Sequence, residues 1–159
     1  RYVLQTGSNT YATLKEEFTL VGHYLALEQS RFGQDLIIHT SLPQEIEQVL
    51  IPAFALQTLV ENAVKHGLEK NKRRGTLAIM AQQDKAYAAV ISVYDSGYGI
   101  PILFGKGEQS AFLQPFFGTG LNNVTERLLQ IYQRDNLLTF QSDPERGTTA
   151  TLKIPINTL

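Results

Sequence analysis

With 159 residues, 43% hydrophobic and 18% charged, and a formal net charge of −1, the chain suits one folded domain and offers no electrostatic footing for nucleic acid. It has no Cys, which excludes disulfides, zinc–thiolate centres and thiol chemistry and fits a reducing compartment. No apolar run reaches the ~18 residues of a membrane span and no signal peptide opens the chain. The first residue is Arg1 rather than Met, which reads as a fragment of a longer protein.

In chain order, residues 12–32 (ATLKEEFTLVGHYLALEQSRF) place Leu14, Phe18, Val21, Tyr24, Leu25 and Leu27 near helical spacing. Gly33 then reads as the stop. DLIIHTSL reads as a strand. Pro52 is expected to open a second helix, which carries LVENAVKHGLEK, residues 59–70. GTLAIMAQQ and AYAAVISVYD, joined by Asp84 and Lys85, read as a hairpin. Residues 96–118 are rich in Gly and aromatics without a regular period and read as a long loop. GLNNVTERLLQIYQ is a further helix, with Asn122 or Asn123 near its start. NLLTFQS and GTTATLKIPI close the chain as strands around the turn DPERG. Adjacent strands imply hairpins, so the expected fold is α+β, with a mixed, largely antiparallel sheet and helices on one face.

On the second helix, a step of about 100° per residue gathers Leu56, Leu59, Val60, Ala63 and Val64 into a core arc. Asn62 and His66 fall on the seam beside that arc, with Lys65 next to them and Glu61 further round. Asn is a poor helix former, because its amide competes for backbone hydrogen bonds. A carboxamide oxygen there can bind Mg²⁺, an ammonium one turn on can meet phosphates, and an imidazole can lie against a base. A solvated face with a satisfied seam Asn explains the same pattern, and this helix alone leaves both readings open.

The strand VISVYDSGYGI puts Ile91, Val93 and Asp95 on one face. A carboxylate continuing an apolar face is costly without a partner. The exocyclic amine of adenine suits it, and Gly97 and Gly99 let the backbone turn and a ring approach. A strand-end Asp capping a turn is the alternative. In FFGTGLNN a glycine pair opens a helix whose free N–H groups suit phosphate, though a hinge or cap also fits. Neither familiar phosphate loop matches: GxxxxGK[ST] is absent, and Asn123 stands where the dinucleotide motif needs its third Gly.

Together, VENAVKHG, DSGYG, GTGLNN and GTTATLKIP, in that order across residues 57–155, resemble the GHKL nucleotide-binding superfamily. That superfamily holds the gyrase, heat-shock chaperone and histidine kinase ATPase domains. RYVL, KEEFTLVGHYLALEQSRFG, LVENAVKHG and GTGLNNVTERL are similar to the LytS-type sensor histidine kinases over nearly the whole chain. The resemblance implies a two-layer α/β sandwich of the Bergerat type. Residues 1–33 are then the helical tail of a dimerisation and phosphoacceptor region, and residues 34–159 the ATP-binding catalytic domain.

It further implies that Asn62 coordinates Mg²⁺, that Lys65 meets phosphates, and that His66 packs near the adenine or ribose. Asn62 and Lys65 are thereby the residues expected to act in catalysis. Asp95 accepts from the adenine amine in a pocket shaped by Gly97 and Gly99 and backed by Thr148. Gly118, Thr119, Gly120 and Leu121 hold the triphosphate and the hinge of a mobile ATP lid. The lid is residues 101–117, with Phe104, Lys106, Phe112 and Phe116.

Two positions depart from the pattern. Thr58, one turn before Asn62, stands where the gyrase-like ATPases place a Glu base, which argues against hydrolysis as the main reaction. His23, His39 and His66 lack the HFLFN-like surroundings of a phosphoacceptor. The expected activity is therefore transfer of the ATP γ-phosphoryl to a His on an upstream segment, and thence to the receiver domain of a response regulator. The full-length protein is expected to be a homodimer anchored in the bacterial inner membrane, with this domain in the cytoplasm. A regulatory module that binds nucleotide without transfer is the alternative.

Overall fold

A computed structural model of the chain describes residues 4–6, 9–69, 74–113 and 117–156. The chain opens with β1 (Leu4–Thr6) and β2 (Asn9–Thr13), an antiparallel pair, and β2 pairs in turn with β4 (Leu50–Pro52). Strands β1 and β2 occupy the start of the expected helical tail, and helix α1, expected over residues 12–32, runs over Leu14–Phe32. Arg1, Tyr2 and Val3 of the RYVL segment lie outside the described residues.

Thr13 starts α1 with a reciprocal capping box. Its hydroxyl accepts from Glu16 N–H at 3.1 Å, and the Glu16 carboxylate accepts from Thr13 N–H at 2.8 Å. Gly33 closes the helix at φ 70°. The buried stripe is Leu14, Glu17, Val21, Leu25, Glu28 and Phe32, so two carboxylates sit where apolar spacing alone gave no sign of them. Leu27, counted as apolar by its spacing, is 70% exposed.

The main sheet has the strand order β3 (Leu36–Ser41), β5 (Gly75–Gln82), β6 (Tyr87–Asp95), β9 (Gly147–Pro155), β8 (Leu138–Asp143), β7 (Gln109–Ser110). Strand β3 runs parallel to β5, and every other pairing is antiparallel. The two expected hairpins form: β5 with β6, and β8 with β9. One face of the sheet carries Leu77, Ile79, Ile91, Val93, Ala150, Leu152 and Ile154, all in the hydrophobic core with Leu14, Val21, Leu25 and Phe32 of α1. The opposite face is half-exposed at Val90, Ser92 and Tyr94, as period-2 alternation requires when helices cover one side.

Helix α2 (Ala55–Asn62) does not begin at Pro52, which ends β4. Its N-cap is Phe54, in the left-handed region at φ 67°. The chain continues from α2 into a π-helical turn, Ala63–Leu68, before β5. Residues 96–118 are less open than a bare loop. Pro101–Leu103 and Ala111–Leu113 form 3₁₀ turns, and β7 (Gln109–Ser110) pairs with Thr139 and Phe140 of β8. Phe104 bridges to Ser142, and Leu103 and Ala111 are buried. Phe116 lies outside the described residues. Helix α3 (Thr119–Tyr132) starts at Gly118 as N-cap, ahead of the two Asn residues, and buries Leu121, Val124, Thr125, Leu128 and Tyr132.

Candidate functional site

Asp95 ends β6 on its buried face, after Ile91 and Val93, and is 5% exposed. Its register neighbours are Leu77 on β5 and Thr148 on β9. Among the described residues the carboxylate accepts one hydrogen bond, from Gly97 N–H at 3.0 Å. Burial pushes its pKa up from 3.8 to about 6, and the Gly97 hydrogen bond offsets part of that rise. An acceptor so enclosed and so sparsely satisfied suits a neutral donor such as an aryl amine.

Glycine backbones wall this carboxylate. A Cβ on Gly67 would lie 2.3 Å from Asp95 Oδ1, and one on Gly97 would lie 2.4 Å from the Gly67 carbonyl oxygen. Any side chain at either position would push the carboxylate or the π-helical turn out of place. Gly147, at φ 92°, packs instead against the Asp95 backbone, where a Cβ would meet the Asp95 carbonyl oxygen at 2.0 Å. Gly67 and Gly147 were both visible as the last residue of one motif and the first of another, but nothing in the sequence tied them to Asp95.

Gly99 packs against Phe104 and Ser142 rather than against Asp95. Thr148 faces Asp95 across the strand pair, yet its hydroxyl bonds to Ser142 Oγ at 2.8 Å. Ser142 Oγ also accepts from Ile100 N–H at 2.7 Å. Ser142 thus ties the terminal strand to the start of the 101–117 segment, a role the sequence did not signal.

Beyond this carboxylate, a cleft of about 160 Å³ is lined by Thr58, Glu61, Asn62, Lys65, His66, Gly118, Gly120 and Leu121. One wall is α2 with its π-helical turn and the other is the first turn of α3. The two walls approach closely, since a Cβ on Gly120 would lie 3.3 Å from Thr58 Cγ2. The π-helical turn, a widened turn frequent at functional sites, alters the projected helix. Lys65 and His66 are both exposed, while Asn62 and Glu61 are half-buried. Gly67, one residue beyond His66, backs onto Asp95, so a single turn joins the cleft to the Asp95 carboxylate.

Gly118, Thr119 and Gly120 are exposed, and the first-turn N–H groups of α3 have no helical carbonyl ahead of them. Asn122 Nδ2 donates to Phe117 O at 3.0 Å and anchors this turn. Thr58 Oγ1 donates to Phe54 O at 2.9 Å, and Glu61 accepts from Gln57 Nε2 at 2.9 Å. No group of three or more His, Cys, Asp or Glu among the described residues could hold a metal. A divalent ion in the cleft would therefore need oxygens from a ligand beside that of Asn62, which is how Mg²⁺ is bound with nucleotides. The donor set fits that arrangement.

Comparison with known proteins agrees with this geometry. The family model described as histidine kinase-, DNA gyrase B- and HSP90-like ATPase matches residues 51–158. Sensor protein LytS of Staphylococcus haemolyticus is 34% identical over 161 residues, covering 98% of this chain and 27% of the relative. Sensor histidine kinase BtsS of Escherichia coli K12 is 30% identical over 145 residues, covering 91% of this chain and 24% of the relative. The chain thus spans about a quarter of the length of these relatives. Histidine kinase ThkA, solved in complex with response regulator protein TrrA, superposes with a TM-score of 0.59 at 22% identity, over 92% of this chain and 41% of that one.

Proposed function

The chain belongs to the histidine kinase-, DNA gyrase B- and HSP90-like ATPase family, and from that premise we propose that it is the ATP-binding catalytic part of a LytS-type sensor histidine kinase. The observation that carries the reading is the Asp95 carboxylate, buried among glycine backbones with one hydrogen bond. It accepts from the adenine amine, and Gly67 and Gly97 carry no side chain that would displace it. Gly99 and Thr148 support that pocket through Ser142.

From there the triphosphate runs into the cleft. Lys65 offers its ammonium, the amides of Gly118, Thr119, Gly120 and Leu121 offer N–H donors, and His66 lies against the base or ribose. Asn62 supplies the protein's oxygen to Mg²⁺. The ion neutralises phosphate charge during transfer, which is mostly positioning and electrostatics. Thr58 commits its hydroxyl to Phe54 O and carries no carboxylate, so that position activates no water. Residues 101–117 close over the nucleotide as a lid.

The γ-phosphoryl goes to a His outside residues 1–159. His23 and His39 lie on exposed surfaces of α1 and β3, and His66 is in the cleft. Residues 1–33 join the dimerisation and phosphoacceptor region to the catalytic core into which α1 packs, and the receiver domain of a response regulator takes the phosphoryl next. No helix among the described residues is long and apolar enough to cross a membrane. Anchoring in the bacterial inner membrane belongs to other parts of a homodimeric full-length protein, with this domain facing the cytoplasm.

Radiolabelled ATP tests the transfer. Residues 1–159 alone should bind Mg-ATP without labelling themselves, and an added upstream segment should take up acid-labile, base-stable phosphate. A fused segment should work better than a separate one, since positioning contributes about 7–11 kcal/mol in favourable cases. Robust labelling of residues 1–159 alone would misplace the acceptor, and an unlabelled full-length protein would favour a regulatory module.

A further inference from the structure

We propose that Glu17 and Arg127 are positioning residues for the nucleotide cleft, acting through one peptide group that they hold from opposite sides. The proposal rests on the reading of the cleft as a nucleotide site. Glu17 is 0% exposed within α1, and its carboxylate accepts the Phe54 N–H. Arg127, on α3, donates from Nη1 to Ala53 O at 2.6 Å. Ala53 C=O and Phe54 N–H are the two polar ends of a single planar, trans peptide. A carboxylate from one helix and a guanidinium from another therefore fix the rotation of that plane.

The position matters because Phe54 sits at φ 67°, ψ 3°, a conformation that costs a bulky residue energy and persists only where the surroundings impose it. So oriented, Phe54 presents its carbonyl to Thr58 N–H at 3.0 Å and to Thr58 Oγ1 at 2.9 Å. That is the first turn of α2, which leads to Asn62 and on to Lys65 and His66. Arg127 lies on the same helix as Gly120 and Leu121. The two walls of the cleft and α1 thus meet at one peptide. Burial works against the Arg127 charge, and the nearby Glu17 carboxylate offsets part of that cost.

Arg31 of α1 makes a second tie near the other end of this wall, pairing with Glu28 at 2.9 Å and with Glu69, just past the π-helical turn, at 3.7 Å. That pair is half-exposed and weaker, so the Ala53–Phe54 clamp is the stronger constraint on where α2 begins.

The test uses residues 1–159 with Glu17→Ala, Glu17→Gln, Arg127→Met and Arg127→Lys. The control is Ile154→Ala, in the same core at the far end of β9 from Thr148. Mg-ATP affinity is measured by calorimetry well below each melting temperature, and amide exchange is followed over residues 55–62 and 118–128. Glu17→Ala and Arg127→Met should each weaken Mg-ATP by about tenfold or more, as displacement of a positioned group does. Arg127→Lys should recover part of that loss because it keeps a donor. Ile154→Ala should lower the melting temperature without changing affinity, and exchange should rise in both segments together in either clamp variant.

Wild-type affinity in folded Glu17→Ala and Arg127→Met, or a loss equal to that of Ile154→Ala, would overturn the clamp. Should Glu17→Ala unfold, Glu17→Gln carries the same comparison, with a smaller loss expected. If the wild type fails to bind ATP, the nucleotide reading falls. Exchange then decides the clamp by itself: unchanged protection over 118–128 in the Glu17 variants would overturn it.

Discussion

Asp95 carries an energetic cost that its proposed role explains. Its carboxyl holds a proton up to about pH 6 in the folded chain, against 3.8 as the ordinary value. The folded state therefore binds more protons than the unfolded one in that interval. Stability of the ligand-free protein should fall as pH rises from 3.8 to about 6 and stay lower above it. Asp95→Asn should remove this slope and stabilise the ligand-free protein at pH 7 by about 1–3 kcal/mol. Thermal melts of both proteins across pH 4–8 check this, and parallel curves would contradict it. The same substitution should cost at least about a hundredfold in ATP affinity. Gly97 N–H claims the remaining amide oxygen, which turns the new NH₂ toward the adenine amine. At the neighbouring site, Asn62→Ala should erase most of the gain in ATP affinity that Mg²⁺ gives the wild type. Titration with and without Mg²⁺ tests that, and an equal gain in both proteins would return Asn62 to a plain seam residue.

Among the elements, the glycines around Asp95 divide by what they touch. A methyl on Gly67 meets the movable Asp95 carboxylate, whereas a methyl on Gly147 meets Asp95 backbone at a positive φ. Gly67→Ala should cost stability only about 1–3 kcal/mol yet unseat the carboxylate and lose ATP binding. Gly147→Ala should mainly unfold the protein. Denaturant midpoints paired with ATP titrations separate the two, and a larger stability loss in Gly67→Ala would contradict this assignment. The position of Asp95 was legible in the sequence because strand alternation is local and survives folding. The partnership of Gly67 with it was not, since it depends on the sheet carrying β6 up to the π-helical turn. The helical projection holds for the core arc of Leu56, Leu59, Val60, Ala63 and Val64, all buried, and for half-buried Asn62 and exposed Lys65; it departs at His66, which emerges exposed where Ala63–Leu68 is wound wider. Strands β1 and β4 are three residues each, too short to leave a period. Helix α2 starts past Pro52 because the left-handed Phe54 is held by Glu17 and Arg127, residues distant in sequence.

On the scale of the whole molecule, α1 is built into the same core as the sheet. Leu14, Val21, Leu25 and Phe32 pack there with Leu56, Ile91 and Leu152. Burying four such side chains contributes about 6–12 kcal/mol, comparable to the whole stability of a domain. A chain beginning at residue 34 should therefore not fold cooperatively; a cooperative melt from that truncation would contradict this. The order of motifs announced the layered fold, but joining α1 to the core depends on a buried face that includes Glu17 and Glu28, which apolar spacing could not reveal. The most direct measurement is calorimetric titration of residues 1–159 with Mg-ATP and with Mg-GTP, alongside Asp95→Asn. Guanine presents a carbonyl to the Asp95 carboxylate where adenine presents an amine, so a site of this kind should discriminate by about 10⁴, and the variant should lose ATP. Equal affinity of the wild type for both nucleotides, or ATP binding undiminished in Asp95→Asn, would contradict the assignment of this chain as an adenine-reading kinase domain.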